Sequence, residues 1–423
     1  AKHMDDQDNI KYFAQELKEN TYNLTRMNLV MRGILPGNIV TRNGDTLEDD
    51  WPFFDDTDPV NSYNPLYLDA VISNPPSSQQ WEPEHKENDP RYSRFGLAPK
   101  SKADFAFLLH DLYHLKPDGI MAIVLPHGVL FRGGEEGTIR KELIENDHLD
   151  TIIGLPANIF FGTGIPTTIL VLKQKRQNND VLIVDASKGF AKEGKTNKLR
   201  ASDIKKITDT VIQRPADGIP NYAKLVPKTE IRENEYNLNI PRYVDSSEPA
   251  ESWDLYASMF GGIPLSEMES LADYWKAFPS LRAALFKDNG TPYIEPRMDE
   301  LASQLSQTIH EHPEVQSFTD AFTTAFADFT PWLRSELIEQ METLSIPRQE
   351  SRMGAAIFDR LAPLPLIDKY HAYQLLDNEW QKISIDLEII QTEDFDATRV
   401  VDPNLVIKKK KGKDVEVQDG WKG

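Results

Sequence analysis

The sequence contains no cysteine among its 423 residues. Disulfide frameworks, thiolate metal sites and cysteine nucleophiles are therefore excluded within these residues. The absence of cysteine is also consistent with a reducing compartment. We accordingly expect a cytoplasmic protein.

Long apolar runs are missing as well. The sequence has no stretch of about 18 consecutive apolar residues and no charged segment followed by an apolar one at its start. We therefore expect a chain that neither spans a membrane nor is secreted. Hydrophobic residues make up 39% and charged residues 27%, as is typical of a globular rather than a disordered protein.

Positive charge is in short supply. The chain has 47 Lys and Arg against 67 Asp and Glu, which gives a formal net charge of −20. Such an excess of acidic side chains mostly indicates a well-solvated surface. Neutralising nucleic-acid phosphates requires local lysine and arginine. If DNA is the substrate, either a basic groove must be local or a partner must supply much of the contact.

Predicted strands and helices alternate over residues 1–185. The strands are Ile10–Glu16, Asn38–Arg42, Leu68–Ser73, Ile120–Leu125, Asp150–Leu155, Thr168–Leu172 and Val181–Asp185, and the helices are Thr21–Arg32, Phe105–Leu115 and Thr138–Glu145. This alternation predicts the α/β class, with a doubly wound, mainly parallel, Rossmann-like sheet. Ligands bind at the carboxyl ends of the strands in such sheets. We expect a site just after Glu16, Arg42, Ser73 and Leu125.

The sequence divides into three regions that differ in composition and in predicted secondary structure. We expect a core domain at residues 1–185, an extension and linker at 186–252, and a mainly helical region at 253–423 that contacts partners or DNA. A polar stretch runs to about Asp245, and Ser246–Ser252 resembles a linker.

Two features of the C-terminal region have open interpretations. Apolar residues at 4-3-4-3 spacing predict a seam on one helix, which packs either within the chain or on a partner subunit; they are Leu376, Trp380, Ile383, Leu387 and Ile390. The basic cluster Lys408–Lys411 with Lys413 is typical of a solvated hairpin tip, with phosphate contact as the alternative.

Asn74-Pro75-Pro76 directly follows the apolar strand that ends at Ser73. The tripeptide is a common way to end a strand at a turn. It also suits methylation of a planar exocyclic amine, whose delocalised lone pair makes the nitrogen a poor nucleophile. The side-chain carbonyl of Asn74 and the backbone carbonyl of Pro75 could accept both amino protons and so localise that lone pair. Both prolines have a fixed φ and no N–H, which keeps the acceptors rigid.

The tripeptide resembles the signature [Asp/Asn/Ser]-Pro-Pro-[Tyr/Phe/Trp] of amino-methyltransferases that use S-adenosylmethionine. Lys100–Lys173, which contains ADFAFLLHDLYHLKPDG and LPHGVLFRGGEEG, is similar to the modification (M) subunit of type I restriction–modification systems. Tyr236–Val244, YNLNIPRYV, is similar to the same family. The resemblance covers residues 1–245 well and the helical remainder only loosely.

The resemblance implies a class I methyltransferase fold that transfers a methyl group from S-adenosylmethionine to N6 of adenine in double-stranded DNA. The implied partners are a specificity (S) subunit, a second M subunit and a restriction (R) subunit. No metal is expected for this transfer. ATP and magnesium would be needed by the DNA-cleaving partner.

The resemblance also implies roles for individual residues. Glu16 matches the acidic residue that holds the cofactor ribose hydroxyls, with an exposed strand-end glutamate as the alternative. Asp45 matches the residue near the cofactor adenine, with a turn residue after Asn43-Gly44 as the alternative. Phe160 matches an aromatic that stacks on the extruded target base, and its neighbour Phe161 is the second candidate.

Two departures from the family pattern affect these expectations. Ser77 occupies the position of the aromatic that stacks on the flipped base, and serine cannot stack; Trp81 is a possible substitute. The glycine-rich loop that lets the backbone approach the cofactor is also missing. We expect this loop and the first strand to lie upstream of residue 1, and the chain without them to bind cofactor poorly.

Other readings remain open. The absence of cysteine argues against cytosine-C5 methylation, which requires a cysteine nucleophile. Asn rather than Ser before Pro-Pro favours adenine N6 over cytosine N4 within the resemblance. A protein-glutamine methyltransferase would use a similar motif for the same planar-nitrogen problem. A structural subunit with an impaired reaction would account for both Ser77 and the missing loop.

Overall fold

The computed structural model describes residues 7–49, 52–53, 64–161, 163–247, 253–297, 302–394, 402–410 and 413–422. The chain divides into two compact units, His3–Glu248 and Pro249–Gly423. The finer domain limits at residues 185 and 252 stay a prediction. Residues 248–252 of the linker expected at Ser246–Ser252 lie outside the described residues.

The first unit alternates strands with helices. Its strands are β1 (Tyr12–Glu16), β2 (Ile39–Asn43), β3 (Pro52–Phe53), β4 (Asn64–Pro65), β5 (Leu68–Ser73), β6 (Leu115–Pro126), β7 (Leu149–Gly154), β8 (Thr167–Lys173), β9 (Val181–Asp185), β10 (Ala191–Glu193), β11 (Thr196–Lys198) and β12 (Ala223–Val226). Its α-helices are α1 (Glu19–Met31), α2 (Asp104–Tyr113), α3 (Gly134–Glu145), α4 (Ala201–Gln213) and α5 (Lys228–Glu233). A 3₁₀ turn, His127–Leu130, follows β6 directly.

Six strands form the main sheet in the order β12-β9-β7-β8-β6-β5. β5 is parallel to β6, and β7 is parallel to β9. β8 is antiparallel to both of its neighbours, so β5, β6, β7 and β9 all run in one direction. β1 and β2 form a separate parallel pair. The predicted α/β fold with mostly parallel strands, followed by a helical region, is confirmed.

Apolar side chains of the central strands build the core. Ile123 of β6, Ile152 of β7, Leu172 of β8 and Ile183 of β9 are fully buried. Strands that are covered on both faces have near-continuous apolar sequences, and β9 is buried along its whole length. Helix α2 adds a further apolar set to the same core: Phe105, Leu108, Leu109 and Leu112.

The polar stretch between residues 186 and 245 contains several elements that the sequence did not predict, among them helix α4 and strand β12. Helix α4 packs Ile207 into a second core cluster with β9, and β12 pairs antiparallel with β9. Lys205 and Asp209 form an ion pair along α4. The many charged side chains of this helix conceal its short apolar face, which explains why its sequence reads as polar.

The second unit is mainly helical. Its helices are α6 (Leu255–Phe260), α7 (Leu265–Glu269), α8 (Ala272–Ala277), α9 (Leu281–Leu285), α10 (Ala302–Glu311), α11 (Pro313–Ala325), α12 (Phe329–Arg334), α13 (Ile346–Leu361) and α14 (Lys369–Glu393). Its strands are β13 (Ile263–Pro264), β14 (Phe286–Asp288), β15 (Tyr293–Pro296), β16 (Asp402–Lys410) and β17 (Lys413–Lys422). Among the described residues, no helix combines the length and apolar character needed to cross a membrane.

The predicted apolar seam lies on α14. Trp380 and Leu387 are buried in a cluster with Leu344 and Met353, so this part of the seam packs within the chain. Ile383 stays 39% exposed. Of the predicted basic cluster, residues 408–410 end β16 and residue 413 begins β17, while residues 411 and 412 lie outside the described part.

Candidate active site

A cavity of about 700 Å³ lies between β1 and β5, at the ends of strands of the first unit. Its lining includes Glu16 after β1, Asp45 after β2, and Asn74, Pro75 and Pro76 after β5. The segments after β1 and β2 lie together because the carboxyl ends of two parallel, paired strands meet at the same edge. The Asn74 segment follows β5 of the main sheet and faces them across the cavity. The structure thus places all the predicted cofactor residues and the tripeptide around one space.

Glu16 is half-buried at the end of β1. One carboxylate oxygen, Oε1, accepts a hydrogen bond from the backbone N–H of Lys18 at 2.9 Å. The side chain of Asn43, at the end of β2, donates to the Glu16 carbonyl at 2.7 Å and so ties the two strand ends together. Within the described residues, Oε2 has no hydrogen-bond partner, and it can accept from a ligand hydroxyl.

Asp45 closes the turn that follows β2. Its Oδ1 accepts from the backbone N–H of Leu47 at 2.9 Å, and its carbonyl accepts from the N–H groups of Glu48 and Asp49. Asp45 therefore has the turn role that was its structural alternative, while it also lines the cavity. A turn fixed in this way presents the remaining carboxylate oxygen in a defined position.

The loop that begins at Asn74 is held by the start of α2. The backbone N–H of Ser78 donates to Oδ1 of Asp104 at 2.8 Å, and the N–H of Ala103 donates to the carbonyl of Gln79 at 2.8 Å. The other oxygen of Asp104 lies 3.4 Å from Nη1 of Arg132. Asp104 is only 1% exposed, so this carboxylate is a rigid support for the loop.

The Asn74 side chain itself is exposed and, within the described residues, makes no hydrogen bond. Its amide oxygen is therefore available as an acceptor. Ser77 is also exposed and does not line the cavity. The structure brings Asn74, Pro75 and Pro76 to the cavity but leaves Ser77 at its outside.

Trp81 does not replace the missing aromatic at position 77. Its side chain is 7% exposed and packs edge-on against Tyr92, with ring centroids 5.4 Å apart. The indole N–H donates to the carbonyl of Pro99 at 3.1 Å. Trp81 is thus a core residue of this structure.

Phe160 and Phe161 lie in the loop between β7 and β8. Phe160 is half-buried, whereas Phe161 is 98% exposed. Asn197 anchors the loop, because its backbone and side-chain N–H groups donate to the carbonyls of Asn158 and Ala157. Neither ring lines the cavity. The base-stacking role of Phe160 stays a prediction, and the more accessible ring is that of Phe161.

Helix α2 contributes buried polar groups that sequence reasoning missed. Asp111 accepts a hydrogen bond from the Ser73 hydroxyl, but burial dominates and raises the pKa of this carboxyl to about 7. Its Oδ2 and the Oε1 of Gln15 are buried without a hydrogen-bond partner among the described residues, and both side chains line the cavity. The sequence signal was the polar pair His110-Asp111 within the apolar second half of this helix.

Arg91 connects the turn after β2 to α2. The side chain is 3% exposed, and its guanidinium donates to the carbonyls of Thr46 at 2.9 Å and Leu47 at 3.3 Å. It also donates to Nδ1 of His110 at 3.1 Å, and Asp89 neutralises its charge at 2.7 Å. Burial lowers the pKa of His110 well below its ordinary value, as an acceptor nitrogen requires.

The two walls of the cavity are not joined by strand pairing. β1 pairs with β2, and β5 pairs with β6. Ile72 of β5 is 90% exposed, and the α1 side chains Leu24, Met27 and Met31 are each more than half exposed. None of the described glycines lines the cavity. In the described part of the chain, no cluster of three or more His, Asp or Glu residues could hold a metal ion.

Comparisons with known proteins agree with this geometry. The profile of the N-6 DNA Methylase family matches residues 1–252. The type I restriction enzyme MpnII methylase subunit of Mycoplasma pneumoniae is 40% identical over 252 residues, which are 58% of this chain and 45% of that protein. The HindI methylase subunit of Haemophilus influenzae is 30% identical over 273 residues, 63% of this chain and 57% of that protein.

A solved structure supports the same assignment. The type I restriction-modification system methyltransferase subunit from Streptococcus thermophilus is 52% identical, with a TM-score of 0.53 over 56% of this chain and 49% of that one. The chain spans about half the length of the curated relatives described above. Because the family profile covers more than half of its residues, the chain belongs to the N-6 DNA methylase family.

Proposed function

We propose that this chain is the modification subunit of a type I restriction–modification system and transfers a methyl group from S-adenosylmethionine to N6 of adenine in DNA. One observation carries the proposal. The Asn74-Pro75-Pro76 loop opens onto the same cavity as the carboxylates of Glu16 and Asp45, which we assign to cofactor binding. The family membership and the names of the similar proteins support the same reaction class.

The donor set fits the cofactor. The free oxygen of Glu16 can accept from ribose hydroxyls, and the Asp45 carboxylate can accept from the exocyclic amino group of the cofactor adenine. S-adenosylmethionine would supply a methyl group on a positively charged sulfur. The protein's own contribution is to place and polarise the acceptor nitrogen.

Asn74 and Pro75 act on the target amine. Their two carbonyl oxygens accept hydrogen bonds from its two N–H groups, which concentrates the nitrogen lone pair and points it at the incoming methyl group. The Asp104 support keeps the loop from adjusting during the reaction, and a preorganised acceptor pair lowers the barrier more than a mobile one. Because adenine N6 is paired inside a duplex, the base must first be extruded.

The proposed assembly contains double-stranded DNA, a specificity subunit, a second modification subunit and a restriction subunit, in the cytoplasm. The names of the two curated relatives described above, both methylase subunits of type I restriction enzymes, support it. A separate specificity subunit also suits a chain with a net charge of −20, because the partner would supply much of the DNA contact.

Transfer of labelled methyl groups to DNA tests the reaction. The complete coding sequence, co-expressed with its specificity subunit, should produce N6-methyladenine, and Asn74→Ala should lower the rate by about 100-fold or more, as loss of a preorganised polar group does. Asn74→Asp keeps an acceptor oxygen and should retain part of the activity. Asn20→Ala, which removes an exposed amide on α1, is the matched control and should leave the rate unchanged.

A structural subunit with an impaired reaction is the second candidate, and the exposed Ser77 beside a buried Trp81 favours it. This candidate predicts a folded complex that binds the cofactor without transferring methyl groups. Ser77→Tyr would then restore transfer if the missing ring is the defect. Activity of the parent together with full activity of Asn74→Ala would contradict the proposed site.

A further inference from the structure

A second cleft, of about 680 Å³, lies between the start of α3 and the segment 232–242. We call it the α3 cleft; it is lined by Phe131, Gly133, Gly134, Gly137, Thr138, Arg140, Lys141, Arg232, Glu233, Asn234, Glu235, Tyr236, Asn237 and Arg242. The cavity of the proposed active site shares none of these residues.

The α3 cleft faces the same sheet edge as the catalytic loop. It begins just after the turn His127–Leu130, at the carboxyl end of β6, and β6 is the parallel neighbour of β5. The N–H of Leu238 donates to the carbonyl of Leu130 at 2.8 Å and holds the segment 232–242 at this end. Arg132, adjacent to the cleft residue Phe131, pairs with the Asp104 carboxylate that supports the Asn74 loop.

Arg140 fixes a positive charge in the wall of the cleft. It is 6% exposed, and its guanidinium donates to the carbonyls of Tyr236 at 2.7 Å, Val129 at 3.0 Å and Arg132 at 2.8 Å. The carboxylate in the preceding turn of α3, Glu136, pairs with Arg132 at 3.1 Å instead. Backbone carbonyls position the Arg140 cation without neutralising it.

Two further cations stand at the opening of the cleft. Lys141 and Arg242 are exposed, and neither has an ion-pair partner among the described residues. The ammonium of Lys141 lies 5.5 Å from the centre of the Tyr236 ring, which positions it by a cation–π contact. Arg232 is paired with Glu145 at 2.6 Å, so it adds little net charge.

The floor of the cleft lets a ligand approach the backbone. A side chain at Gly133 or Gly134 would meet no atom within 4 Å, so this space is open, and Gly134 has a φ of +64°. The first N–H groups of α3 have no side-chain cap. Uncapped N–H groups and unpaired cations together favour an anion. Three carboxylates oppose this preference, because Glu233 and Glu235 line the cleft and the exposed Glu135 lies in the first turn of α3; they limit the anion to one or two negative charges.

We infer that the α3 cleft binds a phosphate group of the DNA backbone, with Lys141 and Arg242 as the contacting side chains. This inference rests on the proposed function, which supplies DNA as the substrate. A local contact of this kind is what a chain of net charge −20 requires to place DNA at the Asn74 edge. The phosphate contact positions the duplex and carries no sequence information of its own.

The salt dependence of DNA binding tests the inference. Lys141→Gln with Arg242→Gln removes two cations, and Lys192→Gln with Lys195→Gln, both exposed on the β10–β11 hairpin, removes the same charge elsewhere. Binding of a labelled duplex to the chain in complex with its specificity subunit is measured between about 50 mM and about 200 mM chloride. Loss of two phosphate contacts should reduce the slope of log K against log salt by about 1.8, so the parent's affinity should fall about 12-fold more than the variant's over this range.

The control pair should keep the parent's slope. Equal slopes for the cleft variant and the parent, or no binding of the duplex by the parent, would overturn the inference. Inorganic phosphate at matched ionic strength should compete with the duplex for the parent more than for the cleft variant. Binding of inorganic phosphate that the cleft substitutions abolish, together with an unchanged duplex slope, would instead assign the cleft to a small anion. Methyl transfer that depends on Asn74 would survive any of these failures, so the two proposals fail separately.

Discussion

Replacing Asp111 with asparagine should stabilise the first unit at alkaline pH. Burial raises the pKa of this carboxyl from its ordinary value of 3.8 to about 7. Between these two pH values the folded chain retains a proton that the unfolded chain releases, so the free energy of unfolding falls as the pH rises. The stabilisation is complete below about pH 4 and is lost once the pH has passed 7.

The size of the effect follows from the pKa difference. About 3 pKa units correspond to at most about 4 kcal/mol, of which roughly 2 kcal/mol is lost between about pH 5.5 and about pH 8.5. Asparagine keeps an acceptor for the Ser73 hydroxyl and has no charge to bury. The variant should therefore gain on the parent by roughly 2 kcal/mol over this interval.

Pulse proteolysis in urea, with α2 peptides followed by mass spectrometry, measures the unfolding of the first unit separately from the second. Asp118→Asn, an exposed carboxylate close in sequence to α2, is the matched control and should change nothing with pH. A constant difference between parent and Asp111→Asn at both pH values would refute the reasoning, because it would mean that Asp111 does not titrate near neutrality in the folded chain.

Three further outcomes are expected. Asp104→Ala removes the acceptor for the Ser78 N–H and should cost about 2–3 kcal/mol of unfolding free energy, together with most of the methyl-transfer rate. Thermal unfolding and a methyl-transfer assay measure these two effects. An unchanged rate would show that catalysis does not need the Asp104 hydrogen bond to the loop. The Asp150 carboxylate is 3% exposed and pairs with Lys173, Arg176 and Arg214. Asp150→Ala leaves these cations without their anion and should lower the free energy of unfolding in urea by about 3–5 kcal/mol. A loss below about 1 kcal/mol would show that these ion pairs contribute no more than exposed ones do. Phe160→Ala should weaken binding of extruded-base DNA by about 1–3 kcal/mol in a 2-aminopurine fluorescence assay. Phe161→Ala, at a 98%-exposed position, should change the free energy of unfolding by less than about 0.5 kcal/mol. Loss of base binding in Phe161→Ala alone would assign the stacking role to Phe161.

Local patterns predicted the elements that carry the site. β5 reads as a short apolar strand and the prolines after Asn74 mark its end, so the position of the tripeptide depends on neighbouring residues only. The same holds for Glu16 at the end of β1. These features needed no knowledge of distant contacts.

Features that depend on contacts between segments far apart in the chain could not be predicted from the sequence. The reversed direction of β8 is set by its ladders with β6 and β7, and a strand's own residues do not encode its direction. Helix α4 was hidden because packing against β9, rather than a broad apolar face, buries it. The buried position of Asp111 and the burial of Trp81 likewise follow from the packing of residues far apart in sequence.

The single side chain of Arg91 makes the turn after β2, which carries Asp45, and helix α2 one mechanical element. Its guanidinium holds the carbonyls of Thr46 and Leu47 on one side and the ring of His110 on the other. A ligand that orders the turn must then also order α2, and by reciprocity any change that loosens α2 must weaken that ligand. A cofactor at 100 times its dissociation constant would add about 2.7 kcal/mol to the stability of the whole unit. Occupancy of the cofactor site and rigidity of the catalytic loop would thus rise and fall together.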